Sequence, residues 1–259
     1  MPSVIVCGAL GRMGMTIGRM VNESSDLELA GGVDVRPGQF FGKEVVDSSR
    51  LDELLDKTQP DIMIDFTIAD AAVSNVKSGV KFGTALVIGT TGFTPAQRVV
   101  MAKAIEGQVP AVISSNFSIG VNIFWQLIRE AAPFLADYDI EVLEAHHRYK
   151  KDAPSGTAKT ILQILDESIG ERRKQYGREG MREREKMEIG VHVIRGGDIV
   201  GDHSVLFSGN YETITLSHRA YDRSVFAQGA LRAARWVTGK EPGIYSMSDV
   251  LNLVPGTCR

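Results

Sequence analysis

Ser3-Val-Ile-Val-Cys7-Gly8-Ala-Leu-Gly11-Arg-Met-Gly14 opens the chain with a short apolar run that stops at the first of three glycines. From Arg12 to Asn22, apolar residues recur at the spacing of one helix face. An apolar strand, a glycine-rich turn and a helix in this order are typical of the first unit of a parallel sheet, where the N–H groups of the helix N-terminus lie beside the turn. The stretch therefore predicts an α/β fold with a parallel sheet covered by helices.

The same alternation of strand and helix continues to residue 118. Thr94-Pro-Ala-Gln97 is a capping-box pattern with proline at the first helical position, so we expect a helix that begins there and ends near Gly107. Further strands are predicted at Leu27–Val33, Ile62–Ile64, Ala85–Ile88 and Val109–Ser114. Because these apolar runs are short and continuous, residues 1–118 are predicted to form a Rossmann-type, doubly wound parallel sheet.

The pattern changes after residue 118. Helices are predicted at Ile119–Leu135, Ser155–Ile169 and Ser224–Thr238, and strands at Ile140–Ala145, Ile189–Arg195, Ile199–Phe207 and Glu212–His218. We expect a solvated loop over the charge-dense residues 171–188 and a hairpin turn at Gly196-Gly-Asp198. Residues 119–223 are therefore predicted to be a second, α+β domain with a mixed sheet, and residues 224–259 to return to the first domain.

Composition narrows the class of protein. The 259 residues carry a formal charge of −3, which gives no reason to expect a nucleic acid or an anionic membrane as partner. The two cysteines, Cys7 and Cys258, are too far apart in sequence to suggest a disulfide framework, and we expect a buried free thiol at Cys7. Neither a signal peptide nor an apolar run of the ~18 residues needed for a membrane helix is recognised. The expectation is a soluble, cytoplasmic protein.

The glycine-rich turn predicts a dinucleotide site. Glycine is frequent, at 27 residues, and Gly8, Gly11 and Gly14 stand where backbone N–H groups can reach a pyrophosphate. Asp34 follows the second strand and can accept hydrogen bonds from ribose hydroxyls, which favours NAD(H). Arg36 can instead pair with the 2′-phosphate of NADP(H), so both cofactors stay open. A glycine-rich turn without a ligand is the alternative.

Two other strand ends are expected near the same cofactor. Gly89-Thr90-Thr91 and Ser114-Ser115-Asn116-Phe117 each follow an apolar run. In an open α/β sheet, ligands bind beyond the carboxyl ends of the strands. Either stretch can equally be a plain turn.

The densest run of reactive groups is Glu144-Ala-His146-His147-Arg-Tyr-Lys150-Lys-Asp-Ala-Pro-Ser-Gly156-Thr157. Adjacent histidines on a strand point to opposite faces, so a shared metal is not expected. Histidine and lysine can instead supply protons and positive charge, and a helix start at Gly156-Thr157 offers N–H groups. The run indicates an anionic, carboxylated substrate. Its alternative is a solvated basic loop before an ordinary helix cap. The remaining histidines, His192, His203 and His218, are predicted as core or surface residues.

Several segments together resemble the dihydrodipicolinate reductases, also called 4-hydroxy-tetrahydrodipicolinate reductases. The resemblance extends nearly from end to end and in the same order. It is carried by Gly8-x-x-Gly-Arg-Met-Gly14, Asp65-Phe-Thr67, Gly89-Thr-Thr-Gly-Phe93, Asn116-Phe-Ser-x-Gly-Val-Asn122, the run from Glu144 to Thr157, Arg195-Gly-Gly-Asp-Ile-Val-Gly-Asp-His203 and Ser217-His-Arg-Ala220.

The resemblance implies an activity and a set of site residues. The family reduces the cyclic product of dihydrodipicolinate synthase with NADH or NADPH, in the diaminopimelate route to lysine. Its fold pairs a discontinuous Rossmann domain with a substrate-binding domain that also builds a homotetramer. By motif, His146 and Lys150 resemble the catalytic acid/base and proton donor, and His147, Gly156 and Thr157 the contacts to a small dicarboxylate substrate. The implied cofactor contacts are Gly8, Ala9, Leu10, Gly11, Arg12, Met13, Asp34, Gly89, Thr90, Thr91, Ser114, Ser115, Asn116 and Phe117.

Two alternatives compete with this hypothesis. One is a non-catalytic NAD(H)-binding sensor with the same fold, which has no need of proton donors such as His146 and Lys150. The other is a different Rossmann dehydrogenase that acts on a small carboxylate. The family's pattern also has a basic residue after the acidic one in some members, where this chain has Val35. That difference favours NADH, unless Arg36 takes the basic role.

Overall fold

The computed structural model of the chain describes residues 1–253, so Cys258 lies outside the described residues. The chain divides into two compact units. The first unit consists of Met1–Ile119 and Arg223–Asn252, and the second contains Gly120–Asp222. Within residues 1–253, no helical stretch combines the length and the apolar character that a bilayer crossing requires.

The first unit is built on an eight-stranded sheet in the order β13-β7-β6-β5-β1-β2-β4-β3. All neighbouring strands pair in parallel except β3 and β4. The strands are β1 (Ser3–Cys7), β2 (Glu28–Asp34), β3 (Gly38–Phe40), β4 (Lys43–Asp47), β5 (Ile62–Asp65), β6 (Ala85–Ile88), β7 (Pro110–Ile113) and β13 (Gly243–Tyr245). The predicted Rossmann-type parallel sheet is confirmed.

Both faces of this sheet are buried. Along β1, Val4 and Val6 belong to one apolar core, whereas Ile5 and Cys7 belong to the other. Strands buried on both faces explain why the sequence shows continuous apolar runs without alternation. The covering helices are α1 (Arg12–Asn22), α2 (Leu51–Thr58), α3 (Ala69–Lys81), α4 (Pro95–Ile105), α7 (Ser224–Val237) and α8 (Met247–Val250).

Helix α4 starts and ends as the sequence predicts. The Thr94 hydroxyl accepts the N–H of Gln97, whose side chain in turn accepts the N–H of Thr94. This reciprocal pair satisfies two N–H groups that the helix itself leaves unpaired. The chain leaves the helix through Gly107 at φ +68°, a left-handed conformation that glycine adopts without strain.

The second unit contains a five-stranded mixed sheet in the order β12-β11-β8-β10-β9. The central strand β8 pairs in parallel with β10 and antiparallel with β11. Helices α5 (Ile119–Ala131) and α6 (Gly156–Ile169) pack on one face of it. Its strands are β8 (Asp139–His146), β9 (Arg173–Tyr176), β10 (Glu188–Arg195), β11 (Gly201–Ser208) and β12 (Thr213–Ala220). The predicted mixed sheet is confirmed.

Three local predictions were wrong. The helix predicted at Ile119–Leu135 ends at Ala131 and continues as a 3-10 turn, because Pro133 lacks an N–H. The turn at Gly196-Gly-Asp198 does not join a hairpin, since β8 lies between β10 and β11. In this second sheet the antiparallel hairpin is instead formed by β11 and β12.

The third correction concerns residues 171–188. The predicted solvated loop is interrupted by β9, and arginines of the segment hold two acidic side chains, although residues 177–187 are irregular and mostly exposed. The Arg173 guanidinium lies 2.9 Å from the buried Glu188 carboxylate, which Arg178 also contacts. Arg184 lies 3.2 Å from Glu141. A carboxylate buried on the sheet needs such partners, and Arg173 and Arg178 supply them to Glu188 while remaining exposed to solvent themselves.

Candidate functional site

The turn between β1 and α1 leaves its backbone open to a ligand. Gly8 adopts φ +79°, and a Cβ there would lie 2.9 Å from the carbonyl oxygen of Phe66. A Cβ on Gly14 would lie 2.0 Å from the carbonyl oxygen of Gly8, so only glycine lets α1 approach the turn. The helix cap, Gly11, has no side chain to satisfy the first N–H groups of α1. This uncapped helix start fits the phosphates of a dinucleotide.

Asp34 supports this turn from the end of β2. Its Oδ2 accepts the N–H of Leu10 at 2.8 Å, and its Oδ1 accepts the N–H of Val35 at 2.7 Å. A carboxylate has about four acceptor positions, so the two contacts leave capacity for ribose hydroxyls. Val35 and Arg36 are exposed beyond it.

The predicted cofactor residues lie beyond the carboxyl ends of neighbouring parallel strands. The turn residues Gly8 to Met13 follow β1, Gly89 to Thr91 follow β6, and Ser114 to Phe117 follow β7. The strand order β7-β6-β5-β1-β2 brings these ends to one edge of the sheet. Side chains differ within the set: Leu10, Arg12, Thr91 and Ser115 are exposed, whereas Ala9, Thr90 and Phe117 are buried. The buried members can reach a ligand only through their backbone.

Phe66 fills the space between two of these turns. A Cβ on Gly89 would lie 2.2 Å from its ring, and the ring centroid of Phe117 lies 5.7 Å away. Phe66 therefore sets the spacing of the turns after β1, β6 and β7. Its only sequence signal is its place in the Asp65-Phe-Thr67 segment.

Asp65 fixes the same edge through hydrogen bonds. Its buried carboxylate accepts the hydroxyls of Thr90 at 2.7 Å and Thr67 at 2.8 Å, and the amide of Asn75 at 2.7 Å. These contacts join β5, α3 and the turn after β6. Thr90, predicted as a cofactor contact, thus uses its hydroxyl within the protein's own structure and keeps its backbone for a ligand.

In the second unit, His146 at the end of β8 is paired with the buried Glu144. The Nδ1 of His146 lies 2.5 Å from Oε2 of Glu144. Arg195 contacts the two Glu144 oxygens at 2.8 and 2.9 Å, and the N–H of Ser155 lies 2.9 Å from Oε1. Burial alone would raise the pKa of Glu144, but the hydrogen bonds from His146, Arg195 and Ser155 outweigh it and lower the pKa to about 2. Glu144 is therefore ionised at neutral pH.

The other predicted residues of this unit follow His146 in the chain. Lys150 is partly buried, and its Nζ lies 2.9 Å from Asp152. His147 is partly buried, with its ring 6.3 Å from that of Tyr149. Gly156 and Thr157 form the first turn of α6, and nothing lies within 4 Å of the position of a Cβ on Gly156. The helix start is therefore accessible beside Gly156.

His203 on β11 belongs to this cluster. Its ring contacts His146 edge to face at 5.1 Å between centroids, and its Nε2 lies 3.2 Å from the Ser155 hydroxyl. Burial and the nearby His146 lower the pKa of His203 to about 3, so it is neutral at physiological pH. The sequence predicted His203 as a core or surface residue. Glu144 and Arg195 were visible in the sequence only as members of segments that resemble the family. Within residues 1–253, no group of three or more His, Cys, Asp or Glu side chains is arranged to hold a metal ion.

Two family models cover almost the whole chain. The one described as "Dihydrodipicolinate reductase, N-terminus" matches residues 2–117, and the one described as "Dihydrodipicolinate reductase, C-terminus" matches residues 120–251. This chain belongs to the dihydrodipicolinate reductase family. The resemblance noted in the sequence is thereby confirmed.

Relatives match this reductase-family chain over its full length. It is 72% identical to the 4-hydroxy-tetrahydrodipicolinate reductase of Methanoregula boonei, over 98% of this chain and 99% of the relative. It is 51% identical to the protein of the same name from Methanosarcina barkeri, over 98% of this chain and 100% of the relative.

Solved structures agree on the fold. Dipicolinate-bound dihydrodipicolinate reductase from Paenisporosarcina sp. TG-14 is similar at a TM-score of 0.79 and 25% identity, over 98% of this chain and 100% of that one. An amine dehydrogenase from Mycobacterium smegmatis matches at a TM-score of 0.63 and 14% identity, over 95% and 94% of the two chains. The second likeness concerns the fold alone. The chain thus shares its fold with this reductase and, less closely, with the amine dehydrogenase.

Proposed function

We propose that this chain reduces 4-hydroxy-tetrahydrodipicolinate to tetrahydrodipicolinate with NADH or NADPH, in the diaminopimelate route to lysine. The observation that carries the proposal is the run from Glu144 to Thr157, in which an ionised carboxylate holds both an imidazole and the start of a helix. The relatives' shared name and their full-length similarity support the same activity.

The first unit binds the cofactor. The N–H groups after Gly11 donate hydrogen bonds to the phosphates, and the Asp34 carboxylate accepts them from the hydroxyls of the adenosine ribose. The backbone of Gly89 to Thr91 and of Ser114 to Phe117 lines the remaining part of the site. When bound, NADH or NADPH supplies a hydride. Leu10 and Arg12 are exposed at the same turn, so their side chains would be available to contact a bound dinucleotide.

The second unit binds the substrate and supplies a proton. The backbone N–H groups of Gly156 and Thr157 hold one carboxylate, because the start of α6 favours negative charge. His147 contacts the substrate as a further donor. His146, through Nε2, and Lys150, through Nζ, are the two groups that can protonate the position where negative charge develops during reduction.

A coupled assay tests this proposal. Dihydrodipicolinate synthase, supplied with pyruvate and aspartate semialdehyde, produces the substrate in place, and loss of NADH absorbance is followed. We expect oxidation of NADH that depends on both enzymes. A rate no higher than in the control without synthase would contradict the assignment. Binding of NADH without turnover would favour the sensor, and turnover on other carboxylates would favour a different dehydrogenase.

We also propose that four copies assemble through the second unit, in the cytoplasm. The tetramer rests on family resemblance, and the use of NADH and a buried free thiol at Cys7 support the location. Light scattering of the purified protein is expected to give four times the mass of 28.2 kDa. A monomeric mass at assay concentration would contradict the assembly.

A further inference from the structure

Four donors surround the carboxylate of Glu144. Oε1 receives the N–H of Ser155 and Nη2 of Arg195, both at 2.9 Å. Oε2 receives Nη1 of Arg195 at 2.8 Å and faces Nδ1 of His146 at 2.5 Å. A carboxylate has about four acceptor sites, so all of them are used. The side chain is fully buried.

This saturation decides where the His146 ring carries its hydrogen. A carboxylate that is ionised and already holds three other donors has no proton to give to Nδ1. Nδ1 must therefore be the donor, and in the neutral ring Nε2 must be the acceptor. Nε2 is then the atom that gains and loses a proton.

His146 is buried, and glycine at position 201 leaves space beside its Nε2. Gly201 on β11 lies beside it, and a Cβ there would lie 3.2 Å from Nε2. His203, which contacts the same ring, is neutral and so does not oppose a positive charge on His146. The other charged groups near the ring are Glu144 and Arg195, with Lys150 and Asp152 in the following loop.

We propose that Glu144 is a positioning residue, which holds His146 in the Nδ1–H form with Nε2 as the accepting atom of the ring and ties that ring to the start of helix α6. The inference rests on the proposed function for its catalytic meaning. One carboxylate thereby fixes the proton-transferring atom and, through Ser155, the N–H groups proposed to bind a substrate carboxylate. Arg195 neutralises the charge of Glu144 and holds the carbonyl of Asp152 at 2.6 Å, which joins the loop that carries Lys150 to the same centre.

Glu144→Gln is expected to reverse the tautomer of His146. The Gln amide must put its NH₂ group against two donors. If the NH₂ group takes the place of Oε1, it faces the N–H of Ser155 and Nη2 of Arg195, and neither of these donors can become an acceptor. If it takes the place of Oε2, it faces Nη1 of Arg195 and Nδ1 of His146, and the His146 ring can move its hydrogen to Nε2 and accept at Nδ1. The second orientation leaves one opposed donor rather than two, so it is favoured.

The test is ring-nitrogen NMR on the full-length protein, at a pH where the rings are neutral. The chain has five histidines, and the spectrum of His146→Gln identifies the signal of His146. We expect hydrogen on Nδ1 in the wild type and on Nε2 in Glu144→Gln. Hydrogen on Nε2 in the wild type would overturn the proposal, whether or not the variant folds.

Kinetics of the same variants complete the test. Glu144→Gln is expected to lower kcat about 10²-fold, with a smaller change in KM.

Glu141→Gln is the matched control, because Glu141 lies on the same strand, 2.7 Å from Nε2 of His192, and is held by Arg184. Glu141→Gln changes a glutamate–histidine pair that does not involve His146, so kcat should stay near the wild-type value. An unchanged tautomer or full kcat in Glu144→Gln would contradict the positioning role. Absence of turnover in the wild type would contradict the proposed function instead, and the NMR result does not depend on it.

Discussion

At the scale of single residues, Lys150 is expected to act in proton supply and not in cofactor binding. It belongs to the second unit and is paired with Asp152, whereas the proposed NADH contacts belong to the first. Lys150→Ala is therefore expected to lower kcat on the order of 10²-fold or more and to leave the Kd of NADH unchanged. The coupled assay gives kcat, and NADH fluorescence gives Kd.

The adjacent Lys151 is an exposed lysine and supplies the control. Lys151→Ala should retain the wild-type kcat. Loss of NADH binding in a folded Lys150→Ala protein would show that Lys150 is misplaced in the substrate-binding part.

Asp34 is expected to govern the choice between NADH and NADPH. A 2′-phosphate bound beside its carboxylate would meet like charge, and the exposed Val35 after it offers no compensating charge. We expect kcat/KM with NADH to equal or exceed that with NADPH. Arg36→Ala should lower kcat/KM for NADPH and spare NADH. A strong preference of the wild type for NADPH in paired measurements would refute this prediction.

His203 makes the free energy of unfolding depend on pH. Its pKa is about 3 when folded against 6.5 for the free side chain, so the unfolded chain binds the extra proton between these values. The contribution of His203 to the free energy of unfolding is fully present above about pH 6.5 and is lost progressively as the pH drops toward 3. Between about pH 7 and pH 5 the loss from this group alone is up to about 2 kcal/mol. Urea unfolding at both pH values should show a smaller loss in His203→Gln, and an equal loss would contradict the assignment.

At the scale of secondary-structure elements, Gly229 tests how α7 packs. Alanine is the better helix former by about 1 kcal/mol, yet a Cβ at this position would lie 1.6 Å from the carbonyl oxygen of Phe117. Backbone cannot yield as a side chain does, so overpacking by roughly 1–3 kcal/mol or more is expected to outweigh the gain. Thermal unfolding should show Gly229→Ala destabilised.

Gly79 in α3 is the matched helical glycine. A Cβ there would meet the ends of flexible side chains, Leu86 at 2.7 Å and Met63 at 2.9 Å. Gly79→Ala should therefore be tolerated better than Gly229→Ala. The reverse order would mean that α7 can shift on the segment around Phe117.

The sequence could predict elements whose signals are local. Strand β1, its glycine turn, and the capping box of α4 were predicted because propensity and hydrogen bonding are decided within a few residues. The pairing of β8 between β10 and β11 was not, since it depends on partners far along the chain. The same reason explains the site: His146 was recognised by residue type, but its contact with His203 and the pairing of Arg195 with Glu144 exist only after the sheet forms.

At the scale of the whole molecule, the first unit depends on its second segment. Helix α7 buries Ala227, Ala230 and Ala234 in the core that β1 and α1 share. A chain ending at residue 222 retains every proposed cofactor residue but exposes that apolar surface. It is expected to lose NADH binding, as judged by fluorescence titration.

A full-length variant serves as a second measurement. Ala234→Asp places a carboxylate at a fully buried position of the same helix and should likewise abolish NADH binding. NADH affinity unchanged in both proteins would mean that the cofactor site forms without α7.

The order of the strands also has a consequence for synthesis on the ribosome. Strand β8, at the centre of its sheet, leaves the ribosome well before β10 and β11, between which it must lie. The core of the first unit is completed later still, because it includes helix α7, which begins only at Ser224. Neither unit can therefore complete its core until most of the chain has been translated. Folding of this protein is expected to follow release more than to accompany elongation, with apolar edges exposed to chaperones in the interval.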